Sequence, residues 1–246
     1  MKPAPDPAPP PPSLSRMEGL LIASAALTIL SSVFGMLPLH FVCKPLTMLI
    51  AIGLVYLRAS QVRAMERFDW LLIAALAASL AGDVFLMLPG AYFIPGLASF
   101  LVAHLFYIAL FRQGIARFPS GRALLLALGV GAAMYAWVWS GLSDPVLKVA
   151  VAAYVGVISL MVAQAIGRAT VLRDTASKAV ALGACVFMLS DSLIAINRFV
   201  QPLPMVSLWV LTTYYAAQIL MVRNARPTIS SLRATGLSLR ATTRNP

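Results

Sequence analysis

Charged residues are scarce in this chain of 246 residues: they make up 11% of it, whereas hydrophobic residues make up 60%. Soluble domains carry about 25% charged and about 45–50% apolar residues, so the composition excludes an ordinary soluble globule. Only two cysteines occur, Cys43 and Cys185, which excludes a disulfide-stabilised secreted scaffold. Two histidines, His40 and His104, are too few for a three-histidine zinc site.

Motifs of several soluble enzyme classes are also absent. The sequence contains no G-x-S-x-G nucleophile elbow, no P-loop and no H-E-x-x-H metal motif. The first apolar run follows a proline-rich leader, and no small-residue cleavage site comes after it. We therefore expect the first helix to stay in the mature protein.

What the chain has instead is a series of apolar runs, each long enough to cross a hydrocarbon core of about 30 Å. They predict an all-α, polytopic bundle of eight transmembrane helices. The predicted spans are residues 18–37, 40–57, 70–88, 93–112, 122–139, 146–166, 177–198 and 205–223. We expect a disordered proline-rich leader over 1–16, a membrane domain over 17–223 and a disordered basic tail over 224–246.

Positive charges are distributed unequally between the two sides of these spans. Of the 19 lysines and arginines, only Lys44, Lys148 and Arg198 fall on one side. The positive-inside rule then places both termini in the cytoplasm. The same rule accounts for the net charge of +11, so we expect no nucleic-acid partner. With no organelle signal visible, we expect a bacterial inner membrane.

The two halves of the chain show a weak internal repeat. A shift of 108 residues places Gly82-Asp83 on Ser190-Asp191 and Phe106-Tyr107 on Tyr214-Tyr215, and a shift of 104 places Lys44 on Lys148. Two parallel four-helix repeats, related by an axis along the membrane normal, would produce this pattern.

Two of the eight acidic residues, Asp83 and Asp191, lie inside predicted spans. An unpaired charge there costs at least about 2.5–3.5 kcal/mol, so both positions need an explanation. Either each aspartate ties helices together by hydrogen bonds, or the two form a carboxyl pair for acid–base chemistry. Their similar predicted depth favours the second interpretation.

Other polar residues fall at compatible heights and are candidates for binding substrate. Lys44 and Arg198 either hold a phosphate or extend to the interface, and His104 either binds substrate or packs between helices. The tyrosines could equally be explained by aromatic packing. The full set of candidates is Lys44, His104, Tyr107, Asn197, Arg198, Tyr214, Tyr215 and Gln218.

Five short motifs, taken in order, resemble the YhhN/TMEM86 family of eight-span membrane proteins, the lysoplasmalogenases. They are Lys44-Pro45; Gly82-Asp83-Val84-Phe85-Leu86; Phe100, His104 and Tyr107; Ser190-Asp191-Ser192-Leu193-Ile194-Ala195-Ile196-Asn197-Arg198-Phe199; and Tyr214-Tyr215-Ala216-Ala217-Gln218. The resemblance covers about residues 18–223, and the leader and the tail lie outside it.

The resemblance implies hydrolysis of the vinyl ether bond of a lysoplasmalogen, a lysophospholipid, to a fatty aldehyde and glycerophospho-ethanolamine or -choline. It also implies that Asp83 and Asp191 are the catalytic pair, with no metal or organic cofactor. One carboxyl would protonate the vinyl ether as general acid, and the other, ionised, would stabilise the resulting cation and activate water.

Further roles follow from this chemistry as expectations. Lys44 and Arg198 would hold the phosphate, while His104 and Tyr107 would orient a carboxyl or the water. A proton-coupled transporter and a non-catalytic membrane protein remain alternatives, because intramembrane carboxylates and parallel repeats are also features of transporters.

Overall fold

The computed structural model describes residues 12–62 and 65–227, which form eight α-helices and one short 3-10 turn, without a strand among them. The helices are α1 (Pro12–Val33), α2 (Leu37–Val62), α3 (Arg67–Met87), α4 (Phe93–Phe111), α5 (Gly121–Val138), α6 (Pro145–Leu172), α7 (Thr175–Phe199) and α8 (Val206–Asn224). Helices α1 to α7 are long and apolar enough to cross a membrane. The protein is therefore an integral, multi-pass membrane protein.

The predicted helical membrane bundle is confirmed, with differences at the helix ends. Helix α1 begins at Pro12, inside the predicted leader, and α2 and α6 extend about one turn or more beyond the predicted spans. Helix α8 occupies the predicted position, but it is not among the helices that are long and apolar enough to cross a membrane, since threonine, tyrosine and glutamine lie along it. Most of the predicted leader and tail lies outside the described residues.

Consecutive helices within each half of the chain pack side by side, α1 to α4 in the first half and α5 to α8 in the second. Packing of α4 on α6 and of α1 on α8 joins the halves. We call the end that carries the α1–α2, α3–α4, α5–α6 and α7–α8 connections the hairpin end, and the opposite end the terminal end. The core between the helices is apolar, with Leu54, Leu72, Leu76, Leu110, Met161 and Met221 fully buried.

Acidic residues outside the core cap helices. The Asp144 carboxylate accepts the Val146 N–H at 2.9 Å where α6 begins. The Asp174 carboxylate accepts the Ser177 N–H at 2.7 Å where α7 begins. Such caps satisfy backbone donors that a helix leaves unpaired in its first turn. The Ser177 N–H also holds the pKa of Asp174 below its usual value.

At the terminal end of the bundle, one arginine from each half donates hydrogen bonds to carbonyls at the end of a helix from the other half. Arg58 of α2 donates to the Val222 carbonyl at 2.8 Å, at the end of α8. Arg168 of α6 donates to the Gln113 carbonyl at 2.8 Å, just after α4. Helix ends leave carbonyls without partners, so these contacts stabilise α8 and α4. The equivalent contacts support the predicted four-helix repeat.

The outer surface of the bundle is strongly apolar, as a lipid-facing surface requires. Leu125, Leu126 and Val149 are at least 70% exposed. The tryptophans, at positions 70, 137, 139 and 209, are about half exposed near helix ends. This arrangement is typical of side chains at a membrane–water interface.

Candidate active site

Asp83 lies in α3 and is held by side chains from α2 and α8. The Lys44 Nζ atom is 3.1 Å from Asp83 Oδ1. The Tyr214 hydroxyl donates to Asp83 Oδ2 at 2.6 Å. Only 3% of the Asp83 side chain and 11% of the Lys44 side chain are exposed. Both carboxylate oxygens therefore have strong, charge-assisted partners in a buried setting.

A chain of hydrogen bonds continues from this group into the core. Gln218 donates to the Tyr214 hydroxyl at 3.4 Å, and the Tyr107 hydroxyl donates to Gln218 Oε1 at 2.7 Å. The Tyr215 ring packs on that of Tyr214, with centroids 5.2 Å apart. Tyr107 therefore holds Gln218 rather than a carboxyl, and these buried residues fix the position of the Tyr214 hydroxyl.

Asp191 lies in α7 and has a different set of partners. The Tyr154 hydroxyl of α6 donates to Asp191 Oδ2. His104 of α4 approaches the same oxygen, with Nε2 at 4.0 Å. Among the described residues, no lysine or arginine lies within 4 Å of the Asp191 carboxyl. With 15% of its side chain exposed, Asp191 is also the more accessible of the two aspartates.

His104 is fully buried, yet neither of its ring nitrogens has a hydrogen-bond partner among the described residues. Its ring packs edge-on against Tyr154 and Phe187, with centroids 5.2 and 5.0 Å away. A buried polar atom without a partner is costly, and a bound water or a substrate atom would satisfy it. The gap of 4.0 Å to Asp191 is too long for a direct hydrogen bond.

Aromatic rings separate the two aspartates and their partners. The Phe187 ring lies between His104 on one side and Tyr214 on the other, with centroids 5.0 and 5.5 Å away. Phe100 also packs against the Tyr214 ring, at 6.0 Å. The carboxyls therefore have separate partners, and none of the described hydrogen bonds joins one to the other.

The two groups of partners are arranged alike, as the predicted repeat would require. Each aspartate lies against the preceding helix of its own half and the last helix of the other half. Asp83 contacts Lys44 (α2) and Tyr214 (α8), whereas Asp191 accepts from Tyr154 (α6) and has His104 (α4) 4.0 Å away. Tyr154 follows Lys44, and Tyr214 follows His104, by the same 110 residues.

The counterpart of Lys44 in the second half is thus Tyr154. The sequence shift had matched Lys44 to Lys148 instead. Lys148 lies 4.3 Å above the Trp139 ring. The counterpart of Tyr214 in the first half is His104. The sequence shift had paired Phe106-Tyr107 with Tyr214-Tyr215 instead. The sequence match of Asp83 to Asp191 agrees with these contacts, whereas the matches made for Lys44 and for Tyr214 do not.

Two cavities open beside these groups. The first, which we call the apolar cavity, has a volume of about 70 Å³ and is partly open, and Asp191 and Tyr154 are among the residues that line it. The rest of its wall is mainly apolar, for example Leu97, Met134, Val151, Ile158 and Met188. Such a wall offers apolar contacts to part of a hydrocarbon chain.

The second cavity, which we call the cationic cavity, has a volume of about 460 Å³ and is open, and its polar lining consists of His40, Lys44 and Arg198 together with serine and asparagine residues. Leu86 of α3, Phe93 of α4 and Ile194 of α7 line both cavities. These three shared residues, which we call the septum, show that the two cavities are neighbours.

Arg198 and Asn197 lie where the cationic cavity opens. The Arg198 guanidinium is 4.0 Å from the centroid of the Phe93 ring and is exposed. Asn197 accepts the Leu203 N–H at 2.9 Å, which fixes the turn after α7. Asn197 therefore shapes the rim, whereas the Arg198 guanidinium is available to an anion.

Most predicted site residues are brought together, but two contributors were missed. Tyr154 holds Asp191, and Phe93 lies in the septum. A tyrosine hydroxyl inside an otherwise apolar span is a signal that could have identified Tyr154, whereas nothing in the sequence distinguishes Phe93 from other lipid-facing phenylalanines. The described residues contain no group of three His, Cys, Asp or Glu side chains that could hold a metal.

Comparison with known proteins places this geometry in context. The model of the YhhN family matches residues 39–225. The chain is 36% identical over 167 residues to the human protein named lysoplasmalogenase TMEM86B. The matched residues cover 68% of this chain and 66% of the relative. This chain is 35% identical over 156 residues to a protein of Mycobacterium tuberculosis named lysoplasmalogenase, which covers 61% and 58% of the two chains.

A third relative, human lysoplasmalogenase TMEM86A, is 30% identical over 158 residues, which cover 63% of this chain and 64% of the relative. The matched residues thus span 58–66% of the length of these relatives. No solved structure matches the chain.

Proposed function

The chain belongs to the YhhN family, and we propose that it is a membrane hydrolase that cleaves the vinyl ether bond of lysoplasmalogens. The products would be a fatty aldehyde and a glycerophospho-ethanolamine or -choline. One observation carries the proposal: an apolar cavity lined by Asp191 lies next to a cationic cavity, with which it shares three lining residues. The names of the relatives, lysoplasmalogenase, agree with it.

The proposed substrate has an apolar part and a charged part, as the pair of cavities does. Part of its single hydrocarbon chain matches the apolar cavity, and its phosphate matches the cationic cavity, where Arg198 offers a planar guanidinium for a phosphate. The vinyl ether joins the hydrocarbon chain of the lysolipid to its glycerol. In a lysolipid bound in this way, the vinyl ether would therefore lie beside the septum. That position is next to Asp191 and Tyr154.

The partners of the two aspartates suggest which of them is the acid. Asp83 is paired with Lys44 and accepts from Tyr214, so its ionised form is stabilised. Asp191 has a tyrosine partner, no cation among the described residues, and an apolar cavity beside it, so it can carry a proton to the substrate. We assign Asp191 as general acid and Asp83 as the permanent negative charge.

The chemistry then proceeds in three steps. Asp191 transfers its proton to the β-carbon of the vinyl ether, which leaves an oxocarbenium ion and an aspartate. Water adds to the cationic carbon and gives a proton back to Asp191. The resulting hemiacetal collapses, its hydroxyl proton passing to the glycerol oxygen as the carbon–oxygen bond breaks. The sum is one water consumed and one aldehyde and one alcohol formed.

His104 is the candidate for holding the water. Its two ring nitrogens have no partner among the described residues, and Nε2 lies 4.0 Å from the Asp191 oxygen. A water molecule between them could accept or donate to both groups. Asp83 is paired with Lys44, so any effect of Asp83 on the oxocarbenium ion would come through space from this ion pair and not from a free negative charge.

The test is aldehyde release by purified protein in neutral detergent. We expect release by the wild-type protein, and its loss in Asp191→Asn and Asp83→Asn at equal folded yield. Asp144→Asn is the matched control: it makes the same chemical change at a helix cap, where asparagine is an equally good capping residue. Folded wild-type protein that releases no aldehyde from any lysoplasmalogen would refute the hydrolase, and full activity of Asp191→Asn would refute the role of the acid.

A further inference from the structure

Helix α5 has a position unlike that of the other helices. Among the described helices, seven form a closed ring in which each packs on the next, in the order α1, α2, α3, α4, α6, α7 and α8, with α8 returning to α1. Both aspartates and their partners lie on helices of this ring. Helix α5 packs along α6 outside the ring, and its residues Leu125, Leu126 and Val130 are more than half exposed.

This position breaks the symmetry of the two halves. The counterpart of α5 in the first half is α1, which closes the ring by packing on α8. The equivalent contact of α5 would be with α4, but α4 packs on α6, and α5 has no comparable contact with α4 among the described residues. Helix α5 therefore covers one side of the ring without belonging to it.

The contact between α5 and α7 is close at the hairpin end. Gly141, just after α5, lies against the carbonyl of Phe199, where a Cβ atom would collide. Ala195 and Phe199 of α7 also pack on the small apolar cluster that contains Val138 of α5. Nearer the middle of the bundle, the two helices are separated by the apolar cavity, whose wall both of them line.

The exposure of the lining residues shows where the apolar cavity opens. Phe100 of α4 and Tyr154 of α6 line it and are buried, whereas Met134 of α5 and Ser192 of α7 line it and are partly exposed. Leu189, about one turn from Ser192 on α7, is 51% exposed. The mouth therefore lies between α5 and α7, on a surface that is suited to lipid.

The apolar cavity is too small for a whole hydrocarbon chain. Its volume is about 70 Å³, whereas a dry apolar cavity of about 150 Å³ holds one benzene ring. Only a few carbons of a chain therefore fit beside Asp191. The remaining carbons can leave through the mouth at little cost, because lipid tails are as apolar as the side chains of the protein.

We propose that the gap between α5 and α7 is a lateral portal to the membrane, in which the chain of the bound lysolipid passes from the apolar cavity into the bilayer. The identity of the lipid rests on the proposed function, but the position of a bound chain is measurable without turnover. The portal also determines specificity: the protein contacts the carbons next to the vinyl ether and is indifferent to the total length of the chain.

The position of the chain is tested by photolabelling of the wild-type protein in a lipid bilayer. The probe is lysophosphatidylcholine with a diazirine near the methyl end of its chain, and excess unlabelled lysophosphatidylcholine identifies specific labelling. We expect the labelling that competition removes to lie on α5 and α7 beside the portal. The internal control is α1 and α3, the counterparts of these helices, where lipid contact should give only labelling that competition leaves in place.

Three results of this experiment would overturn the proposal. Specific labelling of buried residues of α4 and α6 by the methyl end would show that the chain is enclosed. Specific labelling of α1 and α3 would place the chain at the other half of the bundle. An absence of specific labelling would show that no chain is held at the site.

A variant at the mouth tests the portal independently. Ser192→Trp places an indole in the mouth and should reduce specific labelling at least about fivefold. The matched control is Val84→Trp: Val84 follows Asp83 as Ser192 follows Asp191, is exposed on α3 and lines neither cavity. It should leave the labelling unchanged. Unaltered labelling in folded Ser192→Trp would contradict the portal, and the wild-type labelling decides the proposal if this variant does not fold.

Rates of aldehyde release separate the portal from the hydrolase. The emerging carbons lie in lipid before and after binding, so alkenyl lysolipids with chains of about 12 and about 18 carbons should differ less than about twofold in kcat/KM at equal mole fraction. A sharp optimum at one length would mean an enclosed chain, and the portal would fail while the hydrolase stands. If no alkenyl lysolipid is cleaved but the specific labelling lies at α5 and α7, the hydrolase fails and the portal stands.

Discussion

Replacing Lys44 by methionine is expected to be the most destabilising single change at the Asp83 group. The Lys44 ammonium is 3.1 Å from Asp83, and only 3% of the aspartate side chain is exposed. Methionine fills a similar volume but leaves the carboxylate buried without its cation. Removing one partner of a buried ion pair costs about 3–5 kcal/mol, because the remaining charge has lost its compensation.

The reverse change, Asp83→Asn, should cost less. The Lys44 side chain lines the cationic cavity, so its ammonium can turn towards water once the carboxylate is gone. The amide of asparagine can still accept from Tyr214, and we expect a loss of about 1–2 kcal/mol. The double variant removes both charges and should be more stable than Lys44→Met alone, although it should release no aldehyde.

Stability is measured by reversible unfolding in mixed micelles with a rising fraction of denaturing detergent, followed by circular dichroism. Lys148→Met is the control, since its ammonium lies over a tryptophan ring at the same end of the bundle, and it should cost under about 1 kcal/mol. The reasoning is refuted if Lys44→Met is no less stable than Asp83→Asn, or if the double variant is as unstable as Lys44→Met.

Three further predictions concern other parts of the bundle. Tyr154→Phe removes the hydroxyl that donates to the general acid, so kcat for aldehyde release should fall about tenfold or more while KM stays within about twofold; a change in KM alone would contradict the assignment. Gly141→Ala places a methyl group against the carbonyl of the last residue of α7 and should lower the free energy of unfolding by about 1–3 kcal/mol. Gly129 has open space around it, so Gly129→Ala should be neutral or stabilising. Equal thermal stability of the two variants would refute this packing. Asp174→Ala should cost about 0.5–1 kcal/mol at neutral pH, because an exposed N-cap is lost. The pKa of that carboxyl is lowered in the folded state, so its contribution is complete above the unfolded value and disappears as the pH falls through the folded value; a difference in stability that persists in acid would contradict the cap.

The sequence was sufficient for the bundle and for the two intramembrane aspartates. Long apolar runs have few alternatives to membrane helices, and a carboxyl within such a run is rare enough to be noticed. The contact between Lys44 and Asp83 was not predicted, nor was that between Tyr154 and Asp191. Helices that are distant in sequence become neighbours through packing, and hydropathy carries no information about which helix faces which.

Arg168 illustrates a second limit of sequence reasoning. Its charge predicted a loop after the sixth span, but α6 continues past it and only 4% of the residue is exposed. The reason is local, because carbonyls at the end of α4 accept from its guanidinium. A charge that binds helix-end carbonyls is tolerated in a position where hydropathy alone would exclude it.

The way each aspartate is held has a consequence for the order of synthesis. Helices leave the ribosome in sequence, so Lys44 is already made when Asp83 follows, and Tyr154 when Asp191 follows. Each carboxyl thus enters the membrane with one partner waiting, which lowers the cost of its insertion. The second partner of Asp191, His104, is also made earlier, but that of Asp83, Tyr214, comes only with the last helix. The site is therefore completed only when α8 is made. A nascent chain that stops before α8 has both partners of Asp191 but lacks Tyr214, the second partner of Asp83.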